Sequence, residues 1–306
     1  MTICDYPPNG SSYKALLMSK GVVPVEARRE GAVLTLTLDR QAAGNALDVA
    51  LVDALLAALP RDPDPALRLI VLRGAGRLFC AGFDLADLDM QSDGDLLLRF
   101  VRIEMLLQAV RHAPVPTLAL AHGHALGAGA DLFAACTWRV AAPGTRFAFP
   151  GARFGVVLGT RRLASLIGAQ GALDLTLRGR GMDAEAALAC GLATDLATAE
   201  DWPGIVAALA GEVGTPTMFA QDALRRAVLA ENGRDSDLAD LVRSASLPGL
   251  GGRIRAYAAA ARATRRAGTG AASQAGDPAA SQADARAASQ TDTRAASHDG
   301  GQSVRR

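Results

Sequence analysis

The sequence is short of lysine, cysteine and long apolar runs. Lysine stands only at Lys14 and Lys20, so 30 of the 32 basic residues (32 − 2) are arginine. The 32 basic residues face 31 acidic ones. Such a balance excludes the concentrated basic surface that phosphate backbones require, and with it nucleic acid as the main partner. Four cysteines, Cys4, Cys80, Cys136 and Cys190, are scattered without a CxxC pair, so no disulfide framework is expected. The apolar run from Val115 to Leu120 falls far below the ~20 residues that a membrane span needs. No charged start or apolar stretch of a signal peptide precedes Pro7 and Pro8. These absences lead us to expect a cytoplasmic globular protein without a membrane partner.

Several ligand motifs are missing as well. A GxGxxG fingerprint opening at Gly127 and Gly129 would need glycine where Leu132 stands, and one opening at Gly74 and Gly76 would need it at Phe79. There is no GxxxxGK[ST] loop and no GxSxG elbow. His122, His124 and Cys136 do not follow a zinc-ligand spacing, so no metal is expected.

What is present is a strand–helix alternation. Val33, Leu34, Leu36 and Leu38 alternate with threonine behind Glu30-Gly31, which predicts a hairpin. Asn45 is placed to cap a helix ending before Pro60, and Leu69 to Leu72 reads as a buried strand. A helix from about Leu96 to Val110 would put Leu97, Val101, Glu104 and Gln108 on one side, with Glu104 on the solvated face. Thr117 to Ala121 reads as strand, Asp131 to Cys136 as helix and Trp138 to Ala141 as strand. After Leu163 the pattern turns helical, which indicates an α/β core followed by helices. We divide the chain into an irregular leader (1–22), a core (23–200), a helical subdomain (201–262) and a tail (263–306). In that tail Ala-Ala-Ser recurs every eight residues from Ala271, and only Val304 could add to a core besides alanine. Composition predicts a disordered tail.

Two small-residue turns carry most of the chemistry. One is Phe79-Cys80-Ala81-Gly82-Phe83-Asp84-Leu85, the other His122-Gly123-His124-Ala125-Leu126-Gly127-Ala128-Gly129-Ala130-Asp131-Leu132. Each lies between a strand and a helix, where free backbone N–H groups can meet a ligand. Tight strand–helix packing is the alternative reading of both.

Together the turns resemble the signatures of the enoyl-CoA hydratase/isomerase (crotonase) superfamily, F-x-A-G-A-D-[LI] and N-G-x-A-x-G-G-G-x-E-L. Supporting similarity includes Asp39-Arg40, Asn45-Ala46-Leu47, Pro114-Val115-Pro116 and Thr160-Arg161-Arg162-Leu163, and it covers about residues 25 to 262. The resemblance implies an α/β fold with a crotonase-like ββα spiral core and a C-terminal helical trimerisation subdomain, hence a homotrimer or dimer of trimers. It implies an acyl-CoA thioester as substrate, with coenzyme A as its only cofactor-like part. The thioester oxygen would lie between the N–H groups of Phe83 and Ala128, with Asp131 as acid/base. Arg40, Ala81, Asp84, Leu85, Gly127, Pro150, Gly151 and Phe154 would line the substrate. The family's second glutamate, in an F-x-x-P-E pattern, is replaced here in Phe147-Ala148-Phe149-Pro150-Gly151. Glu104 and His124 are the substitutes considered for it, with a hydrogen bond inside the turn as the plainer role for His124. His122 fills the asparagine position. Phe83, Phe149 and Phe154 are read as acyl-pocket walls, with core packing an equal alternative for at least one of them, and Arg40, Arg153, Arg161 and Arg162 as phosphate partners, with solvated surface as the plainer role. Two alternatives stay open: a non-catalytic acyl-CoA binder, and another thioester reaction such as hydrolysis or decarboxylation.

Overall fold

The protein is described by a computed structural model covering residues 24–274, apart from 63, 214–219, 221–222, 225–226 and 229–232. The leader 1–22 and the tail beyond 274 lie outside the described residues. The alternating segment forms the expected hairpin, β1 (Val25–Glu30) and β2 (Val33–Leu38), turning at Gly31 with φ +55°. Beyond it the chain winds parallel strands β3 (Leu69–Gly74), β4 (Thr117–Ala121), β6 (Trp138–Ala141) and β9 (Asp195–Leu196) into a sheet of order β1-β2-β3-β4-β6-β9. A smaller sheet holds β5 (His124–Leu126), β7 (Arg146–Ala148) and β8 (Met182–Asp183), in the order β5-β7-β8.

Strand β3 is buried on both faces, and its period of two divides the core. Ile70 and Leu72 join Leu36, Leu38 and Ala119 on one side. Leu69 and Val71 meet Leu118, Leu120, Val140 and Trp202 on the other. Between the strands run α1 (Val49–Ala58), α2 (Asp93–Arg111), α3 (Ala128–Ala135) and α4 (Thr160–Leu177). α5 (Ala184–Ala189) precedes β9; α6 (Trp202–Val213), α7 (Gly233–Ala245) and α8 (Leu250–Gln274) follow it. This is the mixed α/β fold with a helical C-terminal part that the sequence predicts. Among the described residues no helix is long and apolar enough to cross a membrane.

Three local expectations need correction. α1 is capped by Asp48, whose carboxylate accepts from Leu51 N–H, and not by Asn45. Asn45 instead sits at φ +54°, fully buried, accepting from Arg40 N–H and donating to the carbonyls of Ala75 and Leu78. It ties the loop before α1 to the loop after β3. α2 turns Leu96, Phe100, Ile103, Leu107 and Val110 inward, so Leu97, Val101 and Gln108 flank the buried face. α8 runs on to Gln274, past the boundary placed at 262, as the high helix propensity of its alanines allows. The molecule divides into two units at Arg255, and the second contains the remainder of α8. α4 is broken at Gly168, whose φ of 78° and ψ of 159° are not helical.

Candidate active site

The two glycine turns lie against each other. Phe79 N–H donates to His122 O at 3.0 Å, Cys80 N–H to His124 O at 3.2 Å and Leu126 N–H to Cys80 O at 3.0 Å. The fit excludes side chains at two points. A Cβ on Gly82, where φ is +88°, would stand 2.2 Å from Leu126 O and 3.3 Å from Ala128 N. A Cβ on Gly129 would stand 2.5 Å from Cys80 O. Gly82 O accepts from Leu47 N–H at 2.7 Å, and Asp84 N–H donates to Leu47 O at 3.3 Å. That bridge turns the intervening Phe83 N–H away. Gly127 N–H goes to Ala148 O at 2.8 Å, leaving Ala128 as the first residue of α3. Among the described residues neither Phe83 N–H nor Ala128 N–H has an acceptor. Ala128 keeps a negative φ, so the alanine costs this donor nothing.

Asp131 lies one turn into α3 and is 5% exposed. Its Oδ1 has no hydrogen-bond partner among the described residues. Burial pushes its carboxyl well above the ordinary carboxylate range; Arg162 pulls it down and Glu104 pushes it up. Glu104 therefore departs from the solvated face assigned to it. It is fully buried and grips Arg162 at two points, Oε1–Nη1 2.9 Å and Oε2–Nη2 2.5 Å. Arg162 also reaches Asp237 at 2.9 Å, so it is no free phosphate partner. Arg161 is likewise committed, to Asp237 at 3.1 Å and Asp240 at 2.7 Å. Arg153 is exposed and donates to Gly179 O.

Around the first turn, Arg40 is held by Asp48 at 3.1 Å and Asp84 at 2.7 Å. Ala81 N–H donates to Gly44 O, and Leu85 is half-buried. The Phe83 ring stacks on Phe100 at 4.3 Å, with the Arg99 guanidinium 4.1 Å over its ring centre. Arg99 also donates to Asp84 O at 2.8 Å. Phe154 continues the row, 6.4 Å from Phe100, whereas Phe149 packs into the main core. A cavity of about 900 Å³ opens here, lined by Arg40, Leu47, Asp84, Arg99, Leu98 and Met105. Around the second turn, Pro150 would stand 3.7 Å from a Cβ on Gly127. Gly151 accepts from Val156 N–H, and a Cβ there would come within 3.0 Å of Val156 O. The His124 side chain is exposed, and the turn uses its carbonyl, not its ring. His122 reaches Gly76 O at 2.8 Å through Nε2.

Sequence reasoning missed Arg99 and Phe100, which clamp the Phe83 ring, and Gly159. Gly159 sits at φ +64°, where a Cβ would fall 2.1 Å from Asp131 Oδ1. Its signal was visible as a glycine directly before Thr160, but only the fold brings it to Asp131.

A model of the family described as enoyl-CoA hydratase/isomerase matches residues 33–246, most of the chain. The chain belongs to the enoyl-CoA hydratase/isomerase family. Over 185 residues it is 38% identical to a "probable enoyl-CoA hydratase" of Mycobacterium tuberculosis, covering 58% of this chain and 74% of that protein. An enoyl-CoA isomerase/hydratase of Mycosarcoma maydis is 34% identical over 173 residues, covering 52% of this chain and 63% of that one. A solved candidate enoyl-CoA hydratase/isomerase from Bordetella parapertussis superposes with a TM-score of 0.75 at 45% identity, over 78% of this chain and 99% of that one. Family membership makes the paired turns the place to look for chemistry.

Proposed function

We propose that this protein is an acyl-CoA enzyme that moves a double bond in an enoyl-CoA, with Asp131 as its single proton carrier. The observation that carries the reading is the pair of uncommitted donors, Phe83 N–H and Ala128 N–H, brought together by two interlocked turns. Preorganised donors of this kind stabilise charge developing on a thioester oxygen by roughly 3–4 kcal/mol each. Asp131 as carboxylate takes a proton from C2 of a 3-enoyl thioester. The C–H electron pair moves onto the thioester oxygen, giving an enolate between the two N–H groups. The carbonyl then re-forms, the double bond settles between C2 and C3, and the proton returns at C4. Desolvation makes the Asp131 carboxylate a stronger base than an exposed aspartate, which suits it to a weakly acidic C–H.

Gly151 favours isomerisation over hydration. Adding water needs a base for the water and an acid for the carbon, and glycine supplies neither. Glu104 does not fill the gap, because both of its oxygens are engaged by Arg162. The cavity beside Asp84 supports room for the non-reacting part of an acyl-CoA. Incubation with 2-enoyl- and 3-enoyl-CoA panels tests the reading, following double-bond position and hydroxyl product separately. Double-bond migration without hydroxyl product is expected; binding without turnover overturns catalysis, and released CoA or CO₂ points to another thioester reaction. The resemblance of the C-terminal helices to a trimerisation subdomain further supports a homotrimer or dimer of trimers. A monomeric mass by light scattering would count against that.

A further inference from the structure

The buried charges around Asp131 are not explained by family membership or by fold stability alone. Replacing a buried ion pair by apolar residues is often neutral or stabilising, so such a pair is weak evidence for stability. Here Arg162 is 3% exposed, and its two terminal nitrogens serve Glu104 and Asp237. Its Nε remains buried without a partner among the described residues, as does Asp131 Oδ1. Two complementary groups are thus left unpaired in one charge cluster. Gly159 belongs to the same arrangement. It precedes the helix that carries Arg162, and the Asp131 carboxyl occupies the space that a side chain at 159 would fill.

We propose that Gly159, Arg162 and Glu104 form a positioning set for Asp131, in which Gly159 leaves room for its carboxyl and the Arg162–Glu104 pair sets the charge it feels. This rests on Asp131 as the proton carrier. Among the described residues Arg162 forms ion pairs with Glu104 and Asp237 and none with Asp131, so the guanidinium acts on Asp131 through its field. The carboxyl stays free to pass its proton to a substrate. The charged groups that act on Asp131 are Arg162 on α4 and Glu104 on α2. Asp237 on α7 is ion-paired with Arg162 and with Arg161, and Arg111 at the end of α2 feels Arg162 and Asp237. Removing the Glu104 charge both lifts a repulsion and frees Arg162, and both effects favour Asp131 ionisation. Neutralising Arg162 acts in the opposite sense.

The decisive experiment is the pH profile of isomerisation by the full chain and its variants. The acidic limb should move down by about one pH unit in Glu104→Gln and up by a similar amount in Arg162→Gln, with Arg162→Lys close to the parent. Gly159→Ala should lower kcat at least about tenfold with KM within about twofold, because the carboxyl must swing away from the new methyl. Limbs that stay fixed in both charge variants overturn the proposal. Should Arg162→Gln fail to fold, Asp237→Asn is the substitute, and its limb should move down. Infrared titration of the Asp131 carboxyl, identified by difference from Asp131→Asn, reads the same shifts without activity. An Asp131→Asn enzyme with full activity would defeat the proton-carrier reading itself; an inactive one beside unmoved limbs defeats only the positioning set.

Discussion

Arg40 and Arg162 each gather two carboxylates, in opposite surroundings. The Arg40 side chain is 27% exposed and holds Asp48 and Asp84, next to the Phe83 donor. The Arg162 side chain is 3% exposed and holds Glu104 and Asp237, within the electrostatic reach of Asp131. Solvent reaches Arg40 and Asp48 and weakens their contact, although Asp84 itself is buried. Burial leaves the second set unscreened, so losing one member strands a charge. The same residue types serve as a local brace at one turn and as a fixed field at the other.

The largest expected effect is at Asp131, which that field surrounds. Asp131→Asn should lower double-bond migration ~100- to 10,000-fold, read as kcat on 3-enoyl-CoA. Its effect on stability has the opposite sign at neutral pH. The folded carboxyl holds its proton above the unfolded value, so its contribution is complete below the unfolded value and is lost as pH rises through the folded one. Urea unfolding should therefore find Asp131→Asn more stable than the parent near pH 8, with the gain shrinking toward pH 4.

Next comes the buried pair. Glu104→Ala should cost about 3–5 kcal/mol in denaturant unfolding, since Arg162 keeps only Asp237. Glu104→Met combined with Arg162→Met should recover much of that loss, and a double variant no better than the single would refute this account. Arg40→Ala should cost less than Glu104→Ala, because Asp48 is half-exposed and only Asp84 would be left buried, and less still in high salt. Equal losses at Arg40 and Glu104 would erase the contrast between the two sets.

The fold was legible where the signal is local. The alternation from Val33 to Leu38 and the continuous apolar run at Leu69 depend on neighbours along the chain, and both form the strands expected. The two turns were legible for a similar reason, because glycine at 82, 127 and 129 marks backbone that must approach closely or take a positive φ. Glu104 was not legible. Its partner Arg162 stands 58 residues away, and a charge read without its partner defaults to the surface. Asn45 misled because it precedes a helix as a cap does, while its left-handed backbone turns the amide toward Ala75 and Leu78. Gly159 was present in the sequence as one glycine among many, and its value came from contact with Asp131 across the fold.

The break at Gly168 has a consequence for how mechanical load travels through the site. Among the described residues, its chain neighbours and its own helix backbone aside, no atom lies within 4 Å of where its Cβ would be, so the positive φ and not the lack of space calls for glycine. The peptide chain changes direction there, and the segment from Thr160 to Ile167 ends as a short strut of its own. Amide exchange in this strut is expected to be uncoupled from exchange in residues 169–177, as hydrogen-exchange measurements would read. Substitutions in the distal segment are then expected to leave the guanidinium at 162 where it is, so that the turn carrying Arg162 is insulated from the helix's own continuation.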